Sequence, residues 1–256
     1  MIELKNVCYS YDDKVVLEDI SLRIEEKERV VLLGVNGCGK TTLLKVLNGL
    51  IFPQKGEFYF EGIKIDRAFF KNEWNRRTFR NTSVMLFQSP DVMLFNPTVF
   101  DEIAFGLRQI KKDESKIKKK VEDIMGIFGL SKYRDSPPFE LSGGEKQKLA
   151  LASILAVEPK VLLLDEPMAN LDPKSQGEII DILYELNITT IISTHNLSMA
   201  PELGERTILL SGDHRIIYDG DTIELLNNEE LLIRANLVHQ HKHRHKAFYH
   251  SHYHKH

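Results

Sequence analysis

The sequence predicts an α/β fold: a mostly parallel sheet core with an antiparallel β portion and an inserted helical lobe. Three observations predict it. The apolar run Val30-Val31-Leu32-Leu33 leads into the glycine-rich turn Gly34 to Gly39 and then a helical pattern, Thr42 to Leu47. A second apolar run, Val161 to Leu164, delivers the acidic pair Asp165-Glu166 at its end, and a third, Thr190 to Thr194, ends at His195. In open parallel sheets, ligands bind beyond the carboxyl ends of the strands.

The elements follow in order. Strands are expected over Ile2 to Tyr9, Leu17 to Ile24 and Val30 to Leu33, with Asp12-Asp13 supplying the first turn. Residues 57 to 65 read as a hairpin that turns at Glu61-Gly62. The stretch Arg67 to Arg80 carries five basic residues and Trp74, and reads as a solvated connector rather than a nucleic-acid contact. Val84 to Phe87 is a strand that leads to Gln88. Residues 89 to 155 read as the helical lobe. Within it Ile117, Val121, Ile124, Met125 and Phe128 fall on one helix face, with Lys116, Lys118, Lys119, Lys120 and Glu122 covering the rest. Pro137-Pro138 ends a connector, and Leu141-Ser142-Gly143-Gly144-Glu145 opens the next helix. Core strands resume at Val161, Thr190, Thr207 and Arg215. The domain is expected over residues 1–238, with a histidine-rich, disordered tail over 239–256.

Composition narrows the classes. The chain has 256 residues, 42% of them hydrophobic, enough for a core with an inserted lobe. A net charge of −3 gives no global basic field for nucleic acid. Two cysteines, Cys8 and Cys38, are too few for a disulfide framework and suit a reducing cytosol. The start, with Glu3 and Lys5 in an alternating strand pattern, is unlike a signal peptide. No apolar run approaches the ~20 residues that span a membrane, so any channel must come from other chains.

Strand, G-x-x-x-x-G-K-T and helix is the context of a P-loop. Its residues here are Gly34, Asn36, Gly37, Gly39, Lys40, Thr41 and Thr42. The glycines let successive N–H groups point at phosphate oxygens, and the helix start adds its positive end. Lys40 is expected on the β- and γ-phosphates and the Thr41 hydroxyl on Mg²⁺. Asp165 is expected to orient Mg²⁺, and Glu166 to polarise an attacking water.

Together these residues resemble the nucleotide-binding subunit of an ABC transporter, a P-loop NTPase, over about residues 1 to 235. The resemblance implies ATP and Mg²⁺ as cofactors. Tyr11 matches the aromatic residue that stacks on adenine, and Gln88 the glutamine that touches Mg²⁺ and senses the membrane partner. Leu141 to Glu145 match the family signature, Ala169-Asn170-Leu171-Asp172 the loop that crosses the dimer interface, and His195 the switch histidine on the γ-phosphate. In that family two subunits pack head to tail around two ATP molecules, each held between the P-loop of one and the signature of the other. Ser142, Gly143 and Gly144 begin a helix, so their N–H groups can approach the partner's γ-phosphate. A homodimer and a heterodimer with a sister subunit are both compatible. Cys38 stands at a variable P-loop position, and Met168-Ala169-Asn170 varies the common wording before Leu171-Asp172.

The stretch Gln88 to Phe95, followed by Thr98 to Gly106, resembles energy-coupling-factor importers, which take up cobalt, nickel and vitamins. There this surface receives short helices of a transmembrane coupling protein, alongside a substrate-binding membrane protein. The Met93-Leu94-Phe95 edge suits such a helix-in-groove contact. The implied role is a peripheral ATPase on the cytoplasmic face of the membrane. A vitamin importer is the nearer alternative, and a soluble ABC-type ATPase of DNA repair or translation the farther one. The latter typically carries coiled coils, zinc insertions or two cassettes. Eight histidines, His239, His241, His243, His245, His250, His252, His254 and His256, alternate through the tail. Neutral imidazoles at that density suit Co²⁺, Ni²⁺, Cu²⁺ or Zn²⁺. A purification tag, a basic membrane tether through Lys242, Arg244, Lys246 and Lys255, and an inert extension are the competing readings.

Overall fold

The computed structural model describes residues 1–110, 113–245 and 248–255, with 239–255 described by backbone alone. The chain forms two compact units, residues 1–76 with 189–256, and residues 77–188.

In the first unit an antiparallel sheet has the order β2-β1-β4-β5, built from β1 (Ile2–Tyr11), β2 (Lys14–Ile24), β4 (Lys55–Phe60) and β5 (Ile63–Lys64). Ile2 and Leu4 of β1 and Leu17, Ile20, Leu22 and Ile24 of β2 are buried, which fixes the face turned inward. The β4–β5 turn places Glu61 at φ 51 and Gly62 at φ 77, the paired left-handed conformation of a two-residue hairpin.

The second sheet of this unit centres on β3 (Arg29–Leu33), flanked in parallel by β8 (Thr189–Thr194) and β9 (Arg206–Leu210). Val30 to Leu33 are fully buried, as expected of a strand covered on both faces. The strand β10 (Ile216–Asp221) runs antiparallel to β9. Arg206 locks that edge: its fork donates to both carboxylate oxygens of Asp219 (2.6 and 2.7 Å) and also to Glu28 (2.8 Å). The helix α1 (Lys40–Leu47) follows β3.

One segment differs from its sequence expectation. The charged stretch expected as a connector contains a helix, α2 (Glu73–Thr82). Glu73 in its first turn and Arg80 in its last complement the helix dipole, while Phe79 alone is buried. Trp74 and Phe79 are its only large apolar side chains and the rest are charged or polar, so the stretch reads as solvated.

In the second unit β6 (Ser83–Leu86) and β7 (Val161–Asp165) pair in parallel, from Ser83↔Val161 to Leu86↔Leu164. The stretch 89–155 holds α3 (Val99–Gln109), α4 (Glu114–Ile127) and α5 (Gly143–Leu155), with short 3-10 turns and no strand among its described residues. Thr98 and Asp113 cap α3 and α4. Ile117, Val121, Met125 and Phe128 are buried along one face of α4 and its end, with Ile124 half-buried. The helix α6 (Pro173–Glu185) starts at the cap Asp172, and proline fills its first turn. Among the described residues no helix is long and apolar enough to cross a membrane.

Back in the first unit, three short helices, α7 (Ala200–Leu203), α8 (Thr222–Leu226) and α9 (Glu229–Arg234), complete the chain before the tail. The tail also differs from the expectation of disorder. Its backbone forms an antiparallel pair, β11 (Val238–His245) and β12 (Phe248–Lys255), in the register Val238↔Lys255 to His245↔Phe248. Alternation with period two, read as a chelating pattern, is also the period of a strand. His256 lies outside the described residues.

Candidate active site

The P-loop begins where β3 ends. Gly39 is the first residue outside α1 and stands at φ 115, where no side chain caps the helix. A Cβ on Gly39 would sit 2.4 Å from the Val16 carbonyl oxygen, so only glycine lets the loop pass β2 this closely. The first turn of α1 has no acidic residue. The positive end of the helix dipole there favours an anion, which is the property that fits nucleotide phosphates. Lys40 is buried and its Nζ donates to the carbonyls of Gly34 (2.7 Å) and Val35 (3.2 Å), so the loop itself holds the ammonium. Thr42 is buried, Thr41 half-buried, and Asn36 and Gly37 are exposed. Gly39→Ala is expected to lower stability by about 2 kcal/mol or more and to abolish ATP binding, checked by thermal melts and equilibrium dialysis.

Sheet register brings a second residue to this end. Leu33 pairs with Thr194 in the parallel β3–β8 ladder, so Gly34 and His195 leave the sheet side by side. His195 is exposed. Tyr11, at the end of β1, is 42% exposed and meets Tyr9 edge to face at 5.0 Å, leaving its ring accessible for stacking.

The second unit holds the acidic pair. Leu86 pairs with Leu164, so Gln88 and Asp165-Glu166 emerge at the same end of β6 and β7. Gln88 is exposed, while Asp165 and Glu166 are 3% and 8% exposed. Glu166 adopts φ 48, a left-handed conformation that costs an L-residue about 1–2 kcal/mol. Such strain clusters at functional positions.

The signature starts α5 with a complete capping box. Glu145 N–H donates to Ser142 Oγ (3.4 Å), and Ser142 N–H donates to Glu145 Oε2 (3.0 Å). The Tyr133 hydroxyl bonded to Glu145, together with Ser142, holds that carboxyl below the usual carboxylate range. A Cβ on Gly144 would lie 2.6 Å from Ser175 Oγ, so glycine permits the close approach of α5 to α6. Ser142 and Gly143 are exposed, and a cavity of about 670 Å³ is lined by Ser142 together with Lys132, Lys148, Asp172 and Lys174. Asp172 caps α6 through the amides of Lys174 and Ser175, both at 3.1 Å, which fixes the end of the Ala169–Asp172 loop. Among the described residues no group of three or more histidine, cysteine or acidic side chains could hold a metal by itself. Magnesium bound largely through substrate phosphates needs no such cage.

The ABC transporter family matches residues 17–169, which takes in the P-loop, Gln88, the signature and the acidic pair. The chain belongs to the ABC transporter ATPases. An energy-coupling factor transporter ATP-binding protein, EcfA, of Methanothermobacter thermautotrophicus is 38% identical over 93% of this chain and 76% of its own length. The nickel import ATP-binding protein LarO of Lactiplantibacillus plantarum is 37% identical, covering 86% of this chain and 92% of its own. The solved structure of cbiO1 from Clostridium perfringens, part of the ABC transporter complex cbiONQ, superposes with a TM-score of 0.79 at 33% identity. That match covers 92% of this chain and 94% of that one. A relative in Caldanaerobacter subterraneus at 46% identity carries a name that specifies no substrate.

This ABC ATPase also contains supporting residues that sequence reasoning missed. Tyr133 braces the signature through Glu145, and Gln147, buried in α5, donates to the Pro167 carbonyl at 2.9 Å, tying the signature helix to the residue after Glu166. Neither has a sequence signal, because both act through tertiary contacts.

Proposed function

We propose that this ABC ATPase powers a membrane importer of the energy-coupling-factor type for Ni²⁺ or Co²⁺. It binds ATP through Gly34, Asn36, Gly37, Gly39, Lys40, Thr41 and Thr42, with Tyr11 on the adenine. Thr41, Gln88 and Asp165 hold Mg²⁺, Glu166 activates the water, and His195 contacts the γ-phosphate. Ser142, Gly143 and Gly144 complete the site of a second copy or of a sister subunit. The protein sits at the cytoplasmic face of the membrane. These roles are supported by the motif identities and by the acid-free, uncapped start of α1.

The observation that carries the transport reading is an aromatic patch after Gln88. Val92, Phe95 and Phe105 are 72%, 66% and 39% exposed, and the two phenylalanines pack edge to face at 4.9 Å. Buried Glu102 holds this loop in place, accepting from the amides of Phe95 (2.9 Å) and Asn96 (2.7 Å). A rigid apolar surface fits the coupling helix of a membrane partner. Phe95→Asp is therefore expected to leave hydrolysis by the isolated ATPase within twofold and to lower substrate uptake by about tenfold or more.

Nickel or cobalt as substrate is supported by the nickel import relative and by the alternating histidines of the tail. On the backbone His239, His241 and His243 stand opposite His254, His252 and His250. Imidazole ligands suit either ion. Uptake of radioactive Ni²⁺ and Co²⁺ by native cells tests this. Accumulation that disappears with Glu166→Gln supports metal import and names the ion. Normal accumulation of both, with loss of vitamin uptake, replaces the metal with a vitamin.

A further inference from the structure

We infer that His214 positions the phosphate cradle: its imidazole anchors the Cys38 carbonyl and thereby turns the Gly39 N–H toward the nucleotide phosphates. The inference rests on the P-loop assignment of residues 34–42, and no motif points to His214, which lies in the turn after β9.

His214 has φ 63, in the left-handed region that glycine adopts freely and a side-chain-bearing residue adopts at a cost of about 1 kcal/mol. The turn that imposes this conformation is braced on several sides. Its own bonds run from the His214 amide to the Ser211 carbonyl (3.0 Å) and from the Ser211 amide to the Arg215 carbonyl (2.9 Å). The Glu18 amide of β2 donates to the His214 carbonyl (2.9 Å), and Arg215 pairs with the Glu18 carboxylate (2.8 Å). A half-buried ring is thus presented at a fixed place, with Nδ1 3.1 Å from the Cys38 carbonyl oxygen. A carbonyl only accepts, so Nδ1 carries the proton, as the Nδ1–H tautomer and the imidazolium both allow.

The consequence follows from peptide geometry. The Cys38 carbonyl and the Gly39 N–H are the two polar ends of one trans peptide plane and point in opposite directions. Anchoring the carbonyl on one side commits the N–H to the other. Gly39 has no side chain to fix its backbone. A flipped Cys38–Gly39 peptide would present its oxygen to the phosphates, an acceptor facing an anion. His214 removes that alternative before nucleotide arrives, which is preorganisation for binding.

The test uses the full-length chain and measures MgATP affinity, the KM and kcat of hydrolysis, and melting temperature. His214→Gly removes the imidazole and relieves the left-handed backbone, so the fold is retained. Expected are a rise in Kd and KM of about fivefold, the ratio that one hydrogen bond of about 1 kcal/mol represents, with kcat within twofold and no fall in melting temperature. His214→Asn should restore wild-type affinity, because its amide nitrogen takes the place of Nδ1 and asparagine tolerates φ above zero. Unchanged affinity in His214→Gly, a parallel fall in melting temperature and kcat, or no rescue by asparagine would each overturn the role. Lys40→Ala separates this from the parent assignment. If it binds ATP normally, the P-loop reading fails. If it loses ATP while His214→Gly keeps it, only the histidine role fails.

Discussion

Glu166→Gln is expected to reduce ATP hydrolysis by at least about a hundredfold while leaving ATP binding intact. The substitution keeps the side chain's size and its ability to hydrogen-bond, and removes only the carboxylate. Glu166 is 8% exposed, sits one residue beyond the buried strand β7 and holds a left-handed backbone at φ 48. A glycine would occupy that conformation without strain, so a glutamate there fits a chemical rather than a structural requirement. If the γ-phosphate holds the two subunits together, as the proposed shared site implies, blocking its cleavage should also trap the ATP-bound dimer. Size-exclusion chromatography with ATP should show a dimer that wild-type protein forms only transiently. Hydrolysis at the wild-type rate would remove Glu166 from the role of base.

Ser142→Arg is expected to abolish hydrolysis to a similar degree, about a hundredfold, with ATP affinity of the isolated chain unchanged. Ser142 belongs to the second unit and is exposed at the start of α5. Its loss costs the helix cap about 1 kcal/mol, which Tyr133 and Glu145 do not replace. The larger effect comes from the arginine side chain blocking approach of a partner's γ-phosphate to the helix start. Thermal melts separate the two: a small loss of stability with a complete loss of turnover is the expected pattern.

Much of the fold was legible because its signals are local. Val30 to Leu33, Val161 to Leu164 and Thr190 to Thr194 are runs rich in apolar and β-branched residues that end at Gly34, Asp165 and His195, and all three are buried strands. The face Ile117, Val121, Met125 announces α4 through its spacing alone. The helix α2 was not legible because the side chains of Glu73 to Thr82 are mostly charged or polar and only Phe79 packs inward. In the tail, one alternation served equally for a chelating coil and for paired strands. At the site, the phosphate-binding and acidic motifs were visible as contiguous words. Their supports were not: Tyr133 reaches Glu145 and Gln147 reaches Pro167 across 12 and 20 residues, and His214 reaches Cys38 across 176. Such contacts depend on where the chain returns, and spacing along the sequence does not encode that.

The shared nucleotide site is tested most directly by mixing two inactive chains, Lys40→Ala and Ser142→Arg, and measuring ATP hydrolysis. Each is dead alone, one for want of a working P-loop and the other for want of a working signature. In a mixed dimer the intact P-loop of one chain faces the intact signature of the other, so one complete site is restored. Random pairing should then recover about one quarter of wild-type activity. Activity that stays at the background of either variant would contradict a site completed by a second copy of this chain.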